Sequence, residues 1–128
     1  MTAADRFRAA VEAMDHAAAV ATLAEDVVFH SPATFKPFEG RDATAFVLAG
    51  VMRVFTNFRY TDQLESGDGV HALVFRAGVG DRQVEGIDLV RVNGDDLIDD
   101  FTVLVRPLSG LNALAARMAE ELGATPSA

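Results

Sequence analysis

Asp88 stands between Ile87 and Leu89 in the run EGIDLVRVNGDDLIDDFTVLVRP, which begins at Glu85. Alternation along a strand aims this residue at the core, where a carboxylate is out of place unless it has work to do. An isolated carboxyl in apolar walls keeps its proton to higher pH than usual, because desolvation disfavours the charged form. It can then donate a hydrogen bond to a ligand carbonyl or phenolate, or serve as an acid or base. The plainer role is a residue of the fold that bonds a backbone group or a buried water.

The other residues with chemistry in reach have simpler explanations. His30 and Ser31 adjoin each other before Pro32. Imidazole is the common general base near neutral pH, but alternation from Ser31 turns His30 away from the pocket unless Pro32 brings a bulge. A surface or interface histidine is the simpler reading. Ser31 lies in no G-x-S-x-G elbow, so a ligand-binding hydroxyl at a pocket rim is the most it offers. His16 and His71 are isolated, and three scattered His without spaced carboxylates make no metal site. Asp95-Asp96 falls on a turn, and the neighbours Asp99-Asp100 point to opposite faces of a strand, so both pairs read as solvated charge. Arg106-Pro107 ends the last strand and can bridge to the acidic outer face or to a partner subunit. With no G-x-G-x-x-G and no P-loop, no cofactor is expected.

Composition narrows the classes further. The chain has 128 residues, half of them hydrophobic, enough for one domain over residues 1–128 with a real core. Without cysteine there is no disulfide, thiolate site or thiol nucleophile. A formal net charge of -8 opposes nucleic acid and anionic membranes as partners. MTAADRFRAA carries no apolar signal core, and the longest apolar run, ATAFVLAGVM from Ala43, is too short to span a bilayer. A cytoplasmic protein without membrane contact is the expectation.

The elements that must position Asp88 follow from periodicity. Phe7, Ala10, Val11 and Met14 predict a first helix, with Thr2 and Asp5 as a capping signal. Asp15 caps a second short helix carrying Ala19, Val20 and Leu23. A strand is expected from Val27 to Ser31, then an irregular aromatic loop, ATFKPFEG. A third helix spans Arg41 to Phe55, with Phe46, Val47, Gly50, Val51, Val54 and Phe55 inward. Four strand-like runs with short separators follow, the clearest turn being Asn93-Gly94. Ser109 would cap a last helix, with Leu111, Leu114, Ala115, Met118 and Leu122 inward and Gly123 as its stop. Only GATPSA reads as a disordered tail. Helices segregated from an antiparallel sheet make an α+β fold, in which a curved sheet wraps the N-terminal helices as a cone with an open end.

Two stretches carry a resemblance to a known family. VEAMDHAAAVATLAEDVVFHSP, from Val11 to Pro32, and IDLVRVNGDDLI, from Ile87 to Ile98, are similar to ketosteroid isomerase patterns. The element order of nearly the whole chain resembles the SnoaL-like branch of the nuclear transport factor 2 superfamily. The resemblance implies the cone-shaped α+β fold as a single domain. Carried over residue by residue, it puts Ser31 where the isomerases have their Asp base, and Phe7 where they have an oxyanion-donating Tyr. Asp88 stands at the position of their protonated Asp. A proton shuttle without its base is no isomerase. Epoxide hydrolases of this superfamily use an Asp-Arg-Asp network, with an Arg two residues from an Asp on one strand. Here Arg91 is three residues from Asp88 and faces the other way.

The resemblance also implies side-chain directions. Val84, Gly86, Asp88, Val90 and Val92 face inward, and Glu85, Ile87, Leu89 and Arg91 outward. Phe101, Val103 and Val105 face inward on the last strand. The expected pocket is lined by Phe7, Met14, Phe29, Phe101, Val103 and Val105, with Phe35 or Phe38 from the aromatic loop, Ser31 at the rim and Asp88 as main polar group. The outer face is partly apolar, so a second copy is expected there, as family members commonly dimerise through it. The leading expectation is a domain that binds a small apolar molecule with Asp88 as polar contact. The alternatives are an isomerase- or cyclase-like enzyme using Asp88 with Ser31 or His30, and a dimeric scaffold whose pocket is filled by its own side chains.

Overall fold

The chain's computed structural model describes residues 1–123. Helix α1 (Ala3–Glu12) opens with the expected capping box, in which the Asp5 N–H donates to Thr2 Oγ1 and the Thr2 N–H donates to Asp5 Oδ2 at 2.9 Å. It closes in a Schellman turn. The Asp15 N–H reaches back to Ala10 O at 2.8 Å and the Met14 N–H to Val11 O at 3.0 Å. Asp15 then caps α2 (His16–Val20) by accepting from the Ala18 N–H at 3.1 Å.

Strand β1 (Leu23–His30) starts earlier than the sequence reading had it. Leu23, expected on the second helix, is instead fully buried as the first residue of the strand. Thr22 O draws it in by accepting from the Ile98 N–H at 2.8 Å. The aromatic loop is not wholly irregular: β2 (Phe38–Glu39) pairs antiparallel with β1. Helix α3 (Arg41–Val54) matches its expected span, but Phe46 is 57% exposed and does not face inward. Thr44, Val47 and Leu48 centre the buried face, and Phe46 lies one residue, or about 100°, off it. Strands β3 (Thr56–Glu65), β4 (Val70–Val79), β5 (Arg82–Val92) and β6 (Ile98–Arg106) form a meander. Helix α4 (Leu108–Glu121) starts directly after Pro107, so Ser109 falls inside its first turn and is not the cap. Gly123, at φ 67°, follows that helix, and the remainder of the GATPSA stretch lies outside the described residues.

The six strands run in the order β2-β1-β6-β5-β4-β3. The sheet is curved but mixed, which corrects the all-antiparallel expectation. β1 and β6 pair in parallel. They are joined through α3 and the whole meander, so no tight hairpin dictates their direction. In β5 the burial alternates as expected, with Val84, Gly86, Asp88 and Val90 buried. Gly86 is required by its neighbours: a Cβ there would lie 2.3 Å from Phe75 Cζ and 2.6 Å from Leu104 O. The core joins α1, α3 and the inner face of the sheet, with Phe7, Phe29 and Phe101 at its centre. The Phe7 and Phe101 rings meet edge to face at 5.1 Å.

One acidic residue does more than sit in solvent. Asp96, expected as solvated turn charge, accepts from the Ala3 N–H at 2.9 Å and from Arg6 Nη1 at 2.8 Å. It fastens the start of α1 to the β5–β6 turn. The Arg6 hydrogen bond first, and the Ala3 N–H second, hold its carboxyl below the usual carboxylate range.

Candidate functional site

Asp88 lies on the inner face of β5 between Leu73 of β4 and Val103 of β6. It is 7% exposed. Tyr60 reaches across β4 from β3, and its hydroxyl donates to Asp88 Oδ2 at 2.8 Å. No other hydrogen bond is made to Asp88 among the described residues, so Oδ1 is free at the surface of the cavity it lines. Burial pushes the Asp88 carboxyl up to about 7, and the Tyr60 hydrogen bond pulls the other way. Burial also raises the Tyr60 phenol well above its ordinary value, with the neighbouring Asp88 charge adding to it. Tyr60 is therefore a fixed donor, while Asp88 is the group that changes charge near neutrality.

The cavity has a volume of about 720 Å³, within the range of small-molecule sites. Of the residues the sequence pointed to, Phe7, Met14, Phe29, Ser31, Phe38, Asp88, Phe101 and Val103 line it. Phe35 does not: its side chain is fully exposed on the loop beyond Thr34. Val105 does not either, because it packs between the two apolar clusters of the core. Ser31 Oγ accepts from the Ala33 N–H at 3.1 Å, within its own turn. His30 points to the opposite face of β1, where its Nε2 lies 3.5 Å from Asp100 Oδ2. The strand thus separates His30 from Asp88, and the pairing of these two as acid and base is not formed. His71 is buried, 2% exposed on the inner face of β4 with Nδ1 unpartnered, and lies outside the cavity wall. Among the described residues no three His, Asp or Glu side chains group as a metal site.

The sequence reading missed Tyr60 and much of the aromatic wall. Phe58 and Phe75 stack at 4.9 Å, Phe58 meets Tyr60 edge to face at 5.0 Å, and Phe55 lies 5.6 Å from both Phe58 and Phe75. The signal was present in Phe58-Arg59-Tyr60-Thr61, a period of two that puts Phe58 and Tyr60 on one face. The register shift between Tyr60 and Asp62 hid its continuation. Helices α3 and α4 add Val47, Leu48, Val51, Leu114 and Met118, and Glu12 and Asn57 also line the cavity.

Two lining residues sit in the left-handed region that favours glycine, Met14 at φ 56° and Asn57 at φ 50°. For Met14 this conformation costs about 1 kcal/mol relative to glycine. Its side chain lines the cavity while remaining 64% exposed. Such strain gathers at functional sites more than elsewhere.

Comparison with known proteins adds to this geometry. The family model described as SnoaL-like domain matches residues 4–101. A crystal structure of a steroid delta-isomerase from Pseudomonas aeruginosa is 38% identical, with a TM-score of 0.90 over 94% of this chain and 89% of that one. An uncharacterised protein with a cystatin-like fold from Silicibacter pomeroyi is 37% identical, with a TM-score of 0.87 over 92% of this chain and 83% of that one. An NTF2-like protein of unknown function from Mesorhizobium loti, at 22% identity and a TM-score of 0.72 over 82% of this chain and 88% of that one, shares the fold. No match is found among curated proteins.

The raised carboxyl has a consequence for stability. Asp88 keeps its proton in the folded chain up to about pH 7, whereas the unfolded chain releases it near 3.8. Across that window the folded state binds more protons, so stability falls as pH rises through it, by about 4 kcal/mol at most. Asp88→Asn keeps an acceptor for Tyr60 and removes the charge. Denaturant unfolding of the variant is expected to show a gain of a few kcal/mol at about pH 8 that fades toward pH 4. An equal difference at both pH values would mean that Asp88 is not a desolvated acid.

Proposed function

The chain belongs to the SnoaL-like domain family, and we propose that it binds a small, largely apolar molecule in its cavity, with Asp88 as the polar contact. The observation that carries this reading is the cavity itself: about 720 Å³ of space walled by aromatic and aliphatic side chains around one buried carboxyl. A self-filled scaffold would place Phe35, Phe38 or Phe101 in that space. Phe35 is out in solvent, while Phe38 and Phe101 form part of the wall.

The steroid delta-isomerase likeness does not bring its reaction with it. By the resemblance of the motifs, Ser31 and Phe7 stand where isomerases carry their base and their tyrosine donor, and neither side chain replaces them chemically. Asp88 offers one proton site, held in place by the Tyr60 hydroxyl, which is sufficient to orient a ligand.

A second copy of the chain is proposed as the protein partner. Leu104 is 53% and Leu89 37% exposed on the outer face of the sheet. They are flanked by Glu85, which pairs with Arg76 at 3.2 Å and Arg106 at 3.3 Å. An apolar centre with a rim carrying both charges is self-complementary across a two-fold axis. The described residues include no helix long and apolar enough to cross a membrane.

Two experiments test these proposals. A thermal-shift screen with steroids, phenols, aromatic polyketides and terpenoids should find at least one class that raises the melting temperature saturably. A ligand at a hundredfold excess over its Kd stabilises by about 2.7 kcal/mol. Val103→Phe, which puts a ring into the cavity beside Asp88, should weaken that effect, and a screen without any hit would contradict a binding role. Sedimentation equilibrium should find a dimer that Leu104→Asp converts to folded monomer. A wild-type monomer at concentrations of tens of micromolar would remove the second copy from the account.

A further inference from the structure

The cavity wall is chemically one-sided. Among the described residues its ionisable side chains are Glu12, Tyr60 and Asp88, and no Lys, Arg or His lines it. Arg8 lies 5.5 Å from the centre of the Tyr60 ring, donates from Nε to Glu12 Oε2 and from Nη1 to Gln63 Oε1, and is not part of the wall. An anionic ligand would therefore give up its hydration and meet carboxylates with no cation to receive it, a costly exchange.

What remains of the wall suits the opposite charge. Phe7, Phe29, Phe58, Phe75, Phe101 and Tyr60 all border the cavity. Ring faces carry the negative end of the aromatic quadrupole and attract cations, most of all where water is excluded. The Tyr60 hydroxyl has its proton committed to Asp88 Oδ2. When Asp88 is ionised, the Asp88–Tyr60 pair offers a ligand a free acceptor at Oδ1 and no donor.

Resting on the binding reading above, we propose that the cavity takes a hydrophobic amine, whose protonated nitrogen pairs with Asp88 among the aromatic rings. The apolar body of the ligand fills the space between α3, α4 and the sheet, and the ammonium replaces the water that an ionised Asp88 would otherwise need. The chain's net charge of -8 draws such a cation toward the protein at long range. The charged and titratable groups around Asp88 are Tyr60 on β3, bonded to it, Arg8 and Glu12 on α1 beyond Tyr60, and His71 on the inner face of β4. The flanking positions on β4 and β6, Leu73 and Val103, are apolar.

A matched series of probes tests the charge preference: 1-naphthylmethylamine, 1-naphthylmethanol and 1-naphthoic acid, measured by calorimetry at about pH 8, where Asp88 is ionised. The amine is expected to bind about tenfold or more tighter than the alcohol, and the acid not to bind. Asp88→Asn should remove the advantage of the amine over the alcohol. Wild-type protein gives an independent reading: amine affinity should rise as pH is raised from about 5.5 to 8 through the Asp88 ionisation, while alcohol affinity stays flat. Equal binding of amine and alcohol, tightest binding of the acid, or an amine advantage that survives Asp88→Asn would overturn the proposal and leave the binding reading intact. Failure of all three probes to bind, in a series that includes the neutral alcohol, would overturn both.

Discussion

The structure turns on one buried carboxyl held by one hydrogen bond. Asp88 is placed on the inner face of a central strand, where desolvation works against its charge, and the Tyr60 hydroxyl is its one bonded partner among the described residues. An unpaired buried carboxylate is costly, and an apolar residue of similar size would serve a closed core better. The cost is borne where the sheet leaves a cavity, so the carboxyl faces open space and not packed side chains.

Several features of the fold are arranged around that placement. Gly86, on the same face and two residues away, has no side chain, which lets the Phe75 ring close on the β5 backbone. Phe75 in turn stacks on Phe58, and Phe58 buttresses Tyr60, so the donor to Asp88 is held by a chain of ring contacts across three strands. At the far end, Asp96 ties the start of α1 to the β5–β6 turn, which brings Phe7 onto Phe101 and closes that side of the wall. The parallel pairing of β1 with β6 sets Phe29 beside Phe101 and completes the aromatic surface.

Much of this was legible in the sequence, for identifiable reasons. Strict alternation in β5 placed Asp88 inward and Leu89 outward, and the same rule turned His30 away from the cavity. Helix caps at Thr2 and Asp15 were readable because they depend on residues three apart. What was not legible depended on long-range pairing or on irregularity. The parallel direction of β1 against β6 leaves no local trace, since no hairpin joins them. The register shift after Tyr60 broke the pattern that would have revealed it as the partner of Asp88. The aromatic type of Phe35 suggests a pocket residue, but type says nothing about which way a loop residue points. Phe46 failed similarly, a residue of the right type displaced from the buried face, whereas Val105 does face inward but packs between the core clusters and not on the cavity.

The charge state of the Asp88 carboxyl in the free protein decides whether the cavity carries a desolvated acid. Its carbon-13 resonance, followed by NMR across the pH range, reports that state directly. The structure predicts a midpoint near 7, as burial dictates, and a further rise in Tyr60→Phe, which removes the hydrogen bond that favours the charged form. A midpoint near the ordinary 3.8, unmoved by Tyr60→Phe, would contradict this: Asp88 would then be a hydrated carboxylate and not a desolvated acid.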